Sequence, residues 1–278
     1  MVVDSDVMQD AGASFAKASE PDIPQIDPPG SGHVSLLWGV AESEEDGEGG
    51  PRLRGCEVRE LNGADEELMA RLKENSPGYF VDLVDLVLRR AVLQVGNTHI
   101  TSQNGAKELG DLLVADRDVL FKEVITTTFG TERSYEGVKC PTCDGSNDIE
   151  VDVEGLVKVT KLEGEPTFTV KMRDGREVAA HYPIGADQKF VYDTKEETSQ
   201  AGYNTRMIGR CIDTVDHQKM LPHAAQRFAL ELGMADRRKI ITALAGGPSV
   251  KFKEVEVPCT ECGEAIPFAF GWADLLWV

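Results

Sequence analysis

Two short cysteine pairs constrain this chain more than any other feature: Cys140-Pro-Thr-Cys143 and Cys259-Thr-Glu-Cys262. Two cysteines separated by two residues can grip one ion from a single tight turn. Zinc takes four such ligands in a tetrahedron, at about 2.3 Å from each thiolate sulfur. A glycine closes each turn, in Cys143-Asp144-Gly145 and Cys262-Gly263. The residue after such a turn often needs a positive φ, which Gly adopts freely and Asp tolerates. Both pairs lie between β-like runs, as in a zinc ribbon, but 115 residues separate Cys143 from Cys259. A shared site therefore demands that the fold bring two distant segments together. A redox Cys-x-x-Cys normally lies where a strand meets a helix N-terminus, which lowers the thiol pKa; here strand-like runs follow both pairs. The spacing predicts one structural zinc held by Cys140, Cys143, Cys259 and Cys262. With cysteine in all four positions no ligand place is left for water or substrate, so the metal stabilises and does not catalyse.

An internal repeat explains the long gap. At a shift of 120 residues, Ala115-Asp116-Arg117 matches Ala235-Asp236-Arg237, Arg90 matches Arg210, Val95 matches Val215 and Leu112 matches Leu232. At a shift of 119, Val138, Cys140 and Cys143 match Val257, Cys259 and Cys262. Two copies at so long a period predict a duplicated unit rather than a solenoid. Each half reads helix, connection, helix, strand, Cys-x-x-Cys, strand. Asp116 and Asp236 are the residue type that caps a helix, and the adjacent arginines are placed to hold a neighbouring helix or the other half.

Local patterns fill in the elements. LRGCEVREL reads as a strand, and Asn62 to Glu67 opens a helix with acids in its first turn. Phe80, Leu83, Val84, Val87, Leu88, Ala91 and Val95 form one apolar stripe, which predicts a helix from Tyr79 to Val95, with Asp85 and Arg89 paired on its exposed side. A helix capped by Asp116 should end at Gly130, its stripe being Leu120, Phe121, Val124, Ile125 and Phe129. Between 136 and 192 the runs VKCPTCDGSNDIEVDV, LVKVTKL, TFTVKM, REVAAHY and KFVYD are β-like, and Asp174-Gly175 marks a hairpin turn. Helical signals return from about Thr194 to Ala245.

Charge divides the chain differently. Of the net −19, residues 1–50 carry −10, from 11 acids and Lys17, among Gly, Pro and Ser. Such a composition buries too little apolar surface to offset ordering entropy, and predicts a disordered acidic tail. Within it VSLLWGV, residues 34–40, is an apolar island that could add as a strand to the body or to a partner. The remaining 228 residues carry −9, which repels a phosphate backbone. No run of 18 apolar residues predicts a membrane span, and the first residues lack the pattern of a secretory signal, so the cysteines are expected in a reducing compartment.

The other chemistry-bearing residues show no site pattern. Cys56 and Cys211 read as small core residues. Histidines 33, 99, 181, 217 and 223 have neither metal nor triad spacing, and His99 and His217 lie in connections. No phosphate loop, G-x-S-x-G or H-E-x-x-H is present. Nothing argues for an enzyme.

From about residue 52 onward the chain resembles the baseplate hub assembly proteins of T4-like contractile-tailed bacteriophages. EVRELNGADEE, ADRDVLFKEVITTTFG, VKCPTC, HYPIGADQ, VPCTECG and AIPFAFGWADLLW carry the resemblance, in that order. It implies a non-enzymatic tail baseplate protein, made in the infected bacterial cytoplasm. Its role would be in hub assembly, as a retained part of the virion or as an assembly factor. Its partners would be other tail and baseplate proteins, with no small-molecule substrate, nucleic acid or membrane. The alternative is a zinc-ribbon nucleic-acid-binding or transcription-related factor. Against it, Lys139, Lys251 and Lys253 near the knuckles are outnumbered by Asp144, Asp148, Glu150, Glu254, Glu256, Glu261 and Glu264.

The expected architecture is α+β: a duplicated helix–helix–β unit, each half giving one knuckle to a shared zinc-ribbon-like site, with a β-hairpin insertion. Its parts are the tail (1–50), a first helical half (51–135), knuckle one with a β-rich segment (136–192), a second helical half (193–247), and knuckle two with an apolar C-terminus (248–278). Residues 51–278 form one body. Trp272, Leu275, Leu276 and Trp277 are the candidate partner-binding residues, being apolar and near the end of the chain.

Overall fold

The computed structural model describes residues 30–42, 51–162, 164–193, 199–268 and 270–276. The first half comprises β1 (Ser31–Ala41), β2 (Arg52–Arg59), α1 (Gly63–Met69), α2 (Tyr79–Ala91), β3 (Val92–Val95), β4 (Thr98–His99), α3 (Gly105–Gly110), α4 (Val114–Phe129) and the hairpin β5 (Glu132–Lys139) and β6 (Ser146–Asp152). A short helix α5 (Val153–Leu156) and strand β7 (Val157–Thr160) lead to the second half. There follow β8 (Thr167–Lys171), β9 (Glu177–His181), α6 (Gly185–Tyr192), α7 (Gln200–Cys211), β10 (Ile212–Val215), β11 (Gln218–Lys219), α8 (Pro222–Glu231) and α9 (Met234–Ala245). β12 (Ser249–Phe252) pairs back onto β7, and the hairpin β13 (Val255–Pro258) and β14 (Ala265–Phe268) precedes a 3₁₀ turn, Ala273–Leu275. The chain is a mixed structure of helices and antiparallel sheets.

The two four-stranded sheets have the same order, β1-β2-β3-β4 and β8-β9-β10-β11. In both, a helix runs without a loop into the third strand. Residues 92–95 are therefore strand rather than the end of the helix expected to Val95: the apolar stripe continues, but Val92 and Val95 pair with Val58 and Cys56. KFVYD, expected as a strand, is helical over Lys189–Tyr192, because Asp187 at the third position of α6 accepts from the N–H of Ile184 and closes its first turn.

Strand β1 corrects the extent of the acidic tail. Ser31–Ala41 pairs antiparallel with β2, and Leu36 is buried in the core of the first half. The register slips between Ser35 and Val40, and the N–H groups of Leu37, Trp38 and Gly39 turn onto the carboxylate of Asp116, at 2.6, 3.0 and 2.9 Å. Gly39 has φ +84°, and a Cβ there would meet the Leu53 carbonyl, so only glycine fits the bulge. Asp116 is thus no cap. The cap position of α4 is Leu113, and the N–H of Val114 is satisfied by the carbonyl of Pro183 in the other half. Asp236, in the matching place on α9, accepts from the N–H of Arg173 in the β8–β9 turn.

Arg117 and Arg237 each donate to a carbonyl eight residues earlier, Leu109 at 2.7 Å and Ala229 at 3.2 Å, and so tie each last helix to the helix before it. Arg117 also approaches Asp85 at 3.4 Å, and Lys189 of the second half binds the same carboxylate at 3.0 Å. Asp85 is therefore buried rather than on an exposed side, and Arg89 is only a third cation, at 3.8 Å.

Two apolar cores result. The second half keeps a small one, around Val178, Ile208, Ile212 and Ile240. The first is large, and it takes in Cys140, Cys259, Ile266, Phe270, Leu275 and Leu276. The hairpin that ends the second half thus packs on the core of the first. Cys56 and Cys211 are both buried core residues, as expected.

Candidate metal centre

Each knuckle is a β-hairpin turn built the same way. The N–H of Asp144 bonds the carbonyl of Cys140 and that of Gly263 bonds Cys259 (3.0 and 2.9 Å); the N–H of Cys140 meets Gly145 O and that of Cys259 meets Glu264 O (2.9 and 2.8 Å). Asp144 and Gly263 both adopt positive φ, 63° and 77°. The N–H of Thr142 and of Glu261 each point at the first sulfur of their own knuckle, at 3.4 Å. Gly145 lies against the carboxylate of Glu261, the exposed end of a flexible side chain of the other knuckle.

The four sulfurs converge. Cys140 Sγ lies 3.8 Å from Cys262 Sγ, Cys143 Sγ lies 3.6 Å from Cys259 Sγ, and all four fall within 4.8 Å of one another. These are too long for disulfides. A tetrahedron with metal–sulfur bonds of about 2.3 Å has edges of about 3.8 Å, so the donor set and its spacing fit a metal ion. Cys140 and Cys259 are buried and Cys143 and Cys262 are exposed, which leaves an entry side.

The thiols are not electrostatically alike. The N–H groups of Cys262 and Glu261, aimed at its sulfur, pull Cys259 down to about 6. The Gly145 N–H draws Cys143 the same way, but the adjoining sulfurs of Cys262, Cys259 and Cys140 outweigh it and push that thiol up to about 12. Several thiolates crowded together repel one another, and a bound dication removes that cost.

A second cluster escaped sequence reasoning. His181 Nδ1 lies 2.8 Å from Asp213 and its Nε2 3.1 Å from Asp187. Burial opposes a charge on the ring, but the two carboxylates outweigh it and raise its pKa to about 9. Asp187 also takes Arg210 Nε at 2.9 Å, so its oxygens are already engaged and the cluster is an ion-pair network. The first half has the same device, in which Asp65 holds Arg59 and Arg90. A shift of 122 residues sets Arg59 on His181 and Gly63-Ala64-Asp65 on Gly185-Ala186-Asp187, and this signal could have found it.

Two of the apolar C-terminal residues are internal. Leu275 is fully buried and Leu276 nearly so, while Trp272 packs edge-on against Phe121 and Phe252 at 5.9 and 4.8 Å. The partner-binding expectation is corrected for Leu275 and Leu276, because they complete the core of the first half; Trp272 is half-buried against that core, and Trp277 lies outside the described residues. Phe129, expected on the buried stripe of α4, is 46% exposed, over the guanidinium of Arg133. Among the described residues, no helix is long and apolar enough to cross a membrane.

A family model described as T4 bacteriophage base plate protein matches residues 56–274, which include both knuckles and the whole of the second four-stranded sheet, while β1 and the start of β2 lie before it. No curated protein matches the chain, and no solved structure does.

Proposed function

We propose a structural role in the tail baseplate, without catalysis, for this chain, which belongs to the T4 bacteriophage base plate protein family. One zinc ion held by Cys140, Cys143, Cys259 and Cys262 clasps the body. The observation that carries this reading is the convergence of four thiols, from turns more than a hundred residues apart, at the spacing of a tetrahedral thiolate site. Four cysteines fill the coordination sphere, so the ion closes the structure and offers no place to a substrate. The two halves are copies of one unit. The common sheet order, the paired Asp and Arg contacts and the repeated Gly-Ala-Asp support this.

Within the baseplate the protein acts at the hub through contacts with other tail proteins, assembled in the host cytoplasm. Its negative charge disfavours nucleic acid as a partner. Elemental analysis of purified protein tests the clasp and should give one zinc per chain; two metals or none refutes it. A phage carrying Cys259→Ser tests the role: it should yield few complete tails, and normal assembly would overturn a structural zinc. Mass spectrometry of purified virions separates a retained hub component from an assembly factor.

A further inference from the structure

The two knuckles follow one plan, yet one side chain breaks their symmetry. Asn147, 3% exposed at the second position of β6, reaches from knuckle one into knuckle two. Its Oδ1 accepts from the N–H of Thr260 at 2.8 Å and from the Thr260 hydroxyl at 2.9 Å. Its Nδ2 donates to the carbonyl of Gly145 at 3.1 Å and approaches Cys259 Sγ at 3.6 Å. The orientation of the amide is not arbitrary. A backbone N–H can only donate and a carbonyl can only accept, so Thr260 N–H and Gly145 O together fix which end is oxygen.

The repeat shows that this contact is a matched pair. A shift of 119 residues sets Asn147 on Ile266 and Thr260 on Pro141. Ile266 is a buried core residue, and proline has no N–H to give. Asn147 of the first half and Thr260 of the second make a polar pair across the knuckles, whereas the mirror-image pair, Pro141 of the first and Ile266 of the second, is apolar. The bolt therefore runs one way only, from the first knuckle to the second, and its free N–H falls on Cys259.

We propose that Asn147 is the positioning residue of the metal site: it locks the two knuckles in register and donates a hydrogen bond to the Cys259 thiolate of the filled site. This rests on the four-cysteine metal reading. Outer hydrogen bonds of this kind orient ligands and temper their charge, and losing one typically weakens metal binding about 10–100-fold.

The test is a Co²⁺ titration of the metal-free full chain, read by its thiolate-to-metal charge-transfer band, followed by competition with a chelator. Asn147→Leu keeps the volume and removes all four contacts; its Co²⁺ affinity should fall about 10–100-fold, with a shifted band. Asn147→Asp keeps the acceptor for Thr260 but turns an anionic oxygen toward Gly145 O and the Cys259 sulfur, and should bind at least as weakly. Should either variant fail to fold, Thr260→Val decides, since it removes only the hydroxyl donor and should cost a few-fold in affinity. A wild-type affinity and band in Asn147→Leu, or an unchanged affinity in Thr260→Val where Leu does not fold, overturns the inference. If the wild-type chain itself takes up no Co²⁺, or shows no thiolate band, the metal reading falls and this inference falls with it; that result is distinct from a variant that matches a metal-binding parent.

Discussion

Replacing Asp116 by Asn removes one atom's worth of chemistry and almost no volume. The two carboxylate oxygens accept three backbone N–H groups from the β1 bulge, two on Oδ1 and that of Gly39 on Oδ2. The side chain is wholly buried. An asparagine has one oxygen, so its amide must face Gly39 and set donor against donor. A buried N–H without an acceptor costs about 1–3 kcal/mol, and the two remaining bonds drop from charge-assisted to neutral, at roughly 1 kcal/mol more. Burying a neutral amide is cheaper than burying a charge, which offsets part of this. A net loss of about 2 kcal/mol follows, or a Tm lower by about 4–8 °C for a body of this size. Denaturant melts measure the loss, and amide exchange locates it: Leu37, Trp38 and Gly39 should exchange faster while the α2 core stays protected. Asp236→Asn is the internal control. That carboxylate takes one backbone N–H and two exposed cations, Arg173 and Lys239, so its loss should be much smaller. If Asp116→Asn melts within a degree of wild type, or if the two substitutions cost the same, the bulge does not depend on that carboxylate.

A chain beginning at Gly30 should unfold as cooperatively as the full chain, whereas one beginning at Pro51 also loses β1 and strands Asp116; circular dichroism melts of the pair check this, and equal stabilities would return β1 to the tail. Leu275→Ala should destabilise by about 2–5 kcal/mol, because the side chain is fully enclosed by the first core; a loss of partner binding at unchanged stability would instead place it on an interface. His181 is raised from 6.5 to about 9 in the folded chain, between Asp187 and Asp213 and beside Arg210 and Cys211. Its contribution is therefore complete below about pH 6.5 and fades as pH rises through 9, with an upper limit of about 3 kcal/mol because Asp213 is partly exposed to water. His181→Arg, which imports the residue of the first half, should flatten stability across that range; a slope that survives the substitution assigns the titration elsewhere.

What the sequence disclosed and what it withheld divide along the range of the interactions. The knuckles were legible because metal spacing, the positive-φ residue and the flanking strands all lie within a few residues of one another. The hairpin at Asp174-Gly175 and the Asn62 start of α1 were legible for the same reason. The errors lie where a distant group decides. The island at 34–40 stands out as a strand that could add to the body, but its acidic flanks still draw the tail to residue 50; β2 and a carboxylate 77 residues away order the island. Asp116 looks like a cap because its residue type suits one, but Pro183 of the other half supplies the acceptor at the start of α4 and frees Asp116 to reach β1. Leu275 and Leu276 look like a sticky end only while the second knuckle is imagined on its own half; once the sulfurs must meet, β13 and β14 are drawn onto the first core and bring these leucines with them. The same logic makes the proposed ion more than a local staple. Removing it should loosen the packing of Phe121 against Trp272 and the contact between β7 and β12, while the small core around Ile208 and Ile240 has no share in the clasp. Chelation should therefore unfold the first core ahead of the second, although every residue of the second half up to Ala245 lies between the two knuckles in sequence.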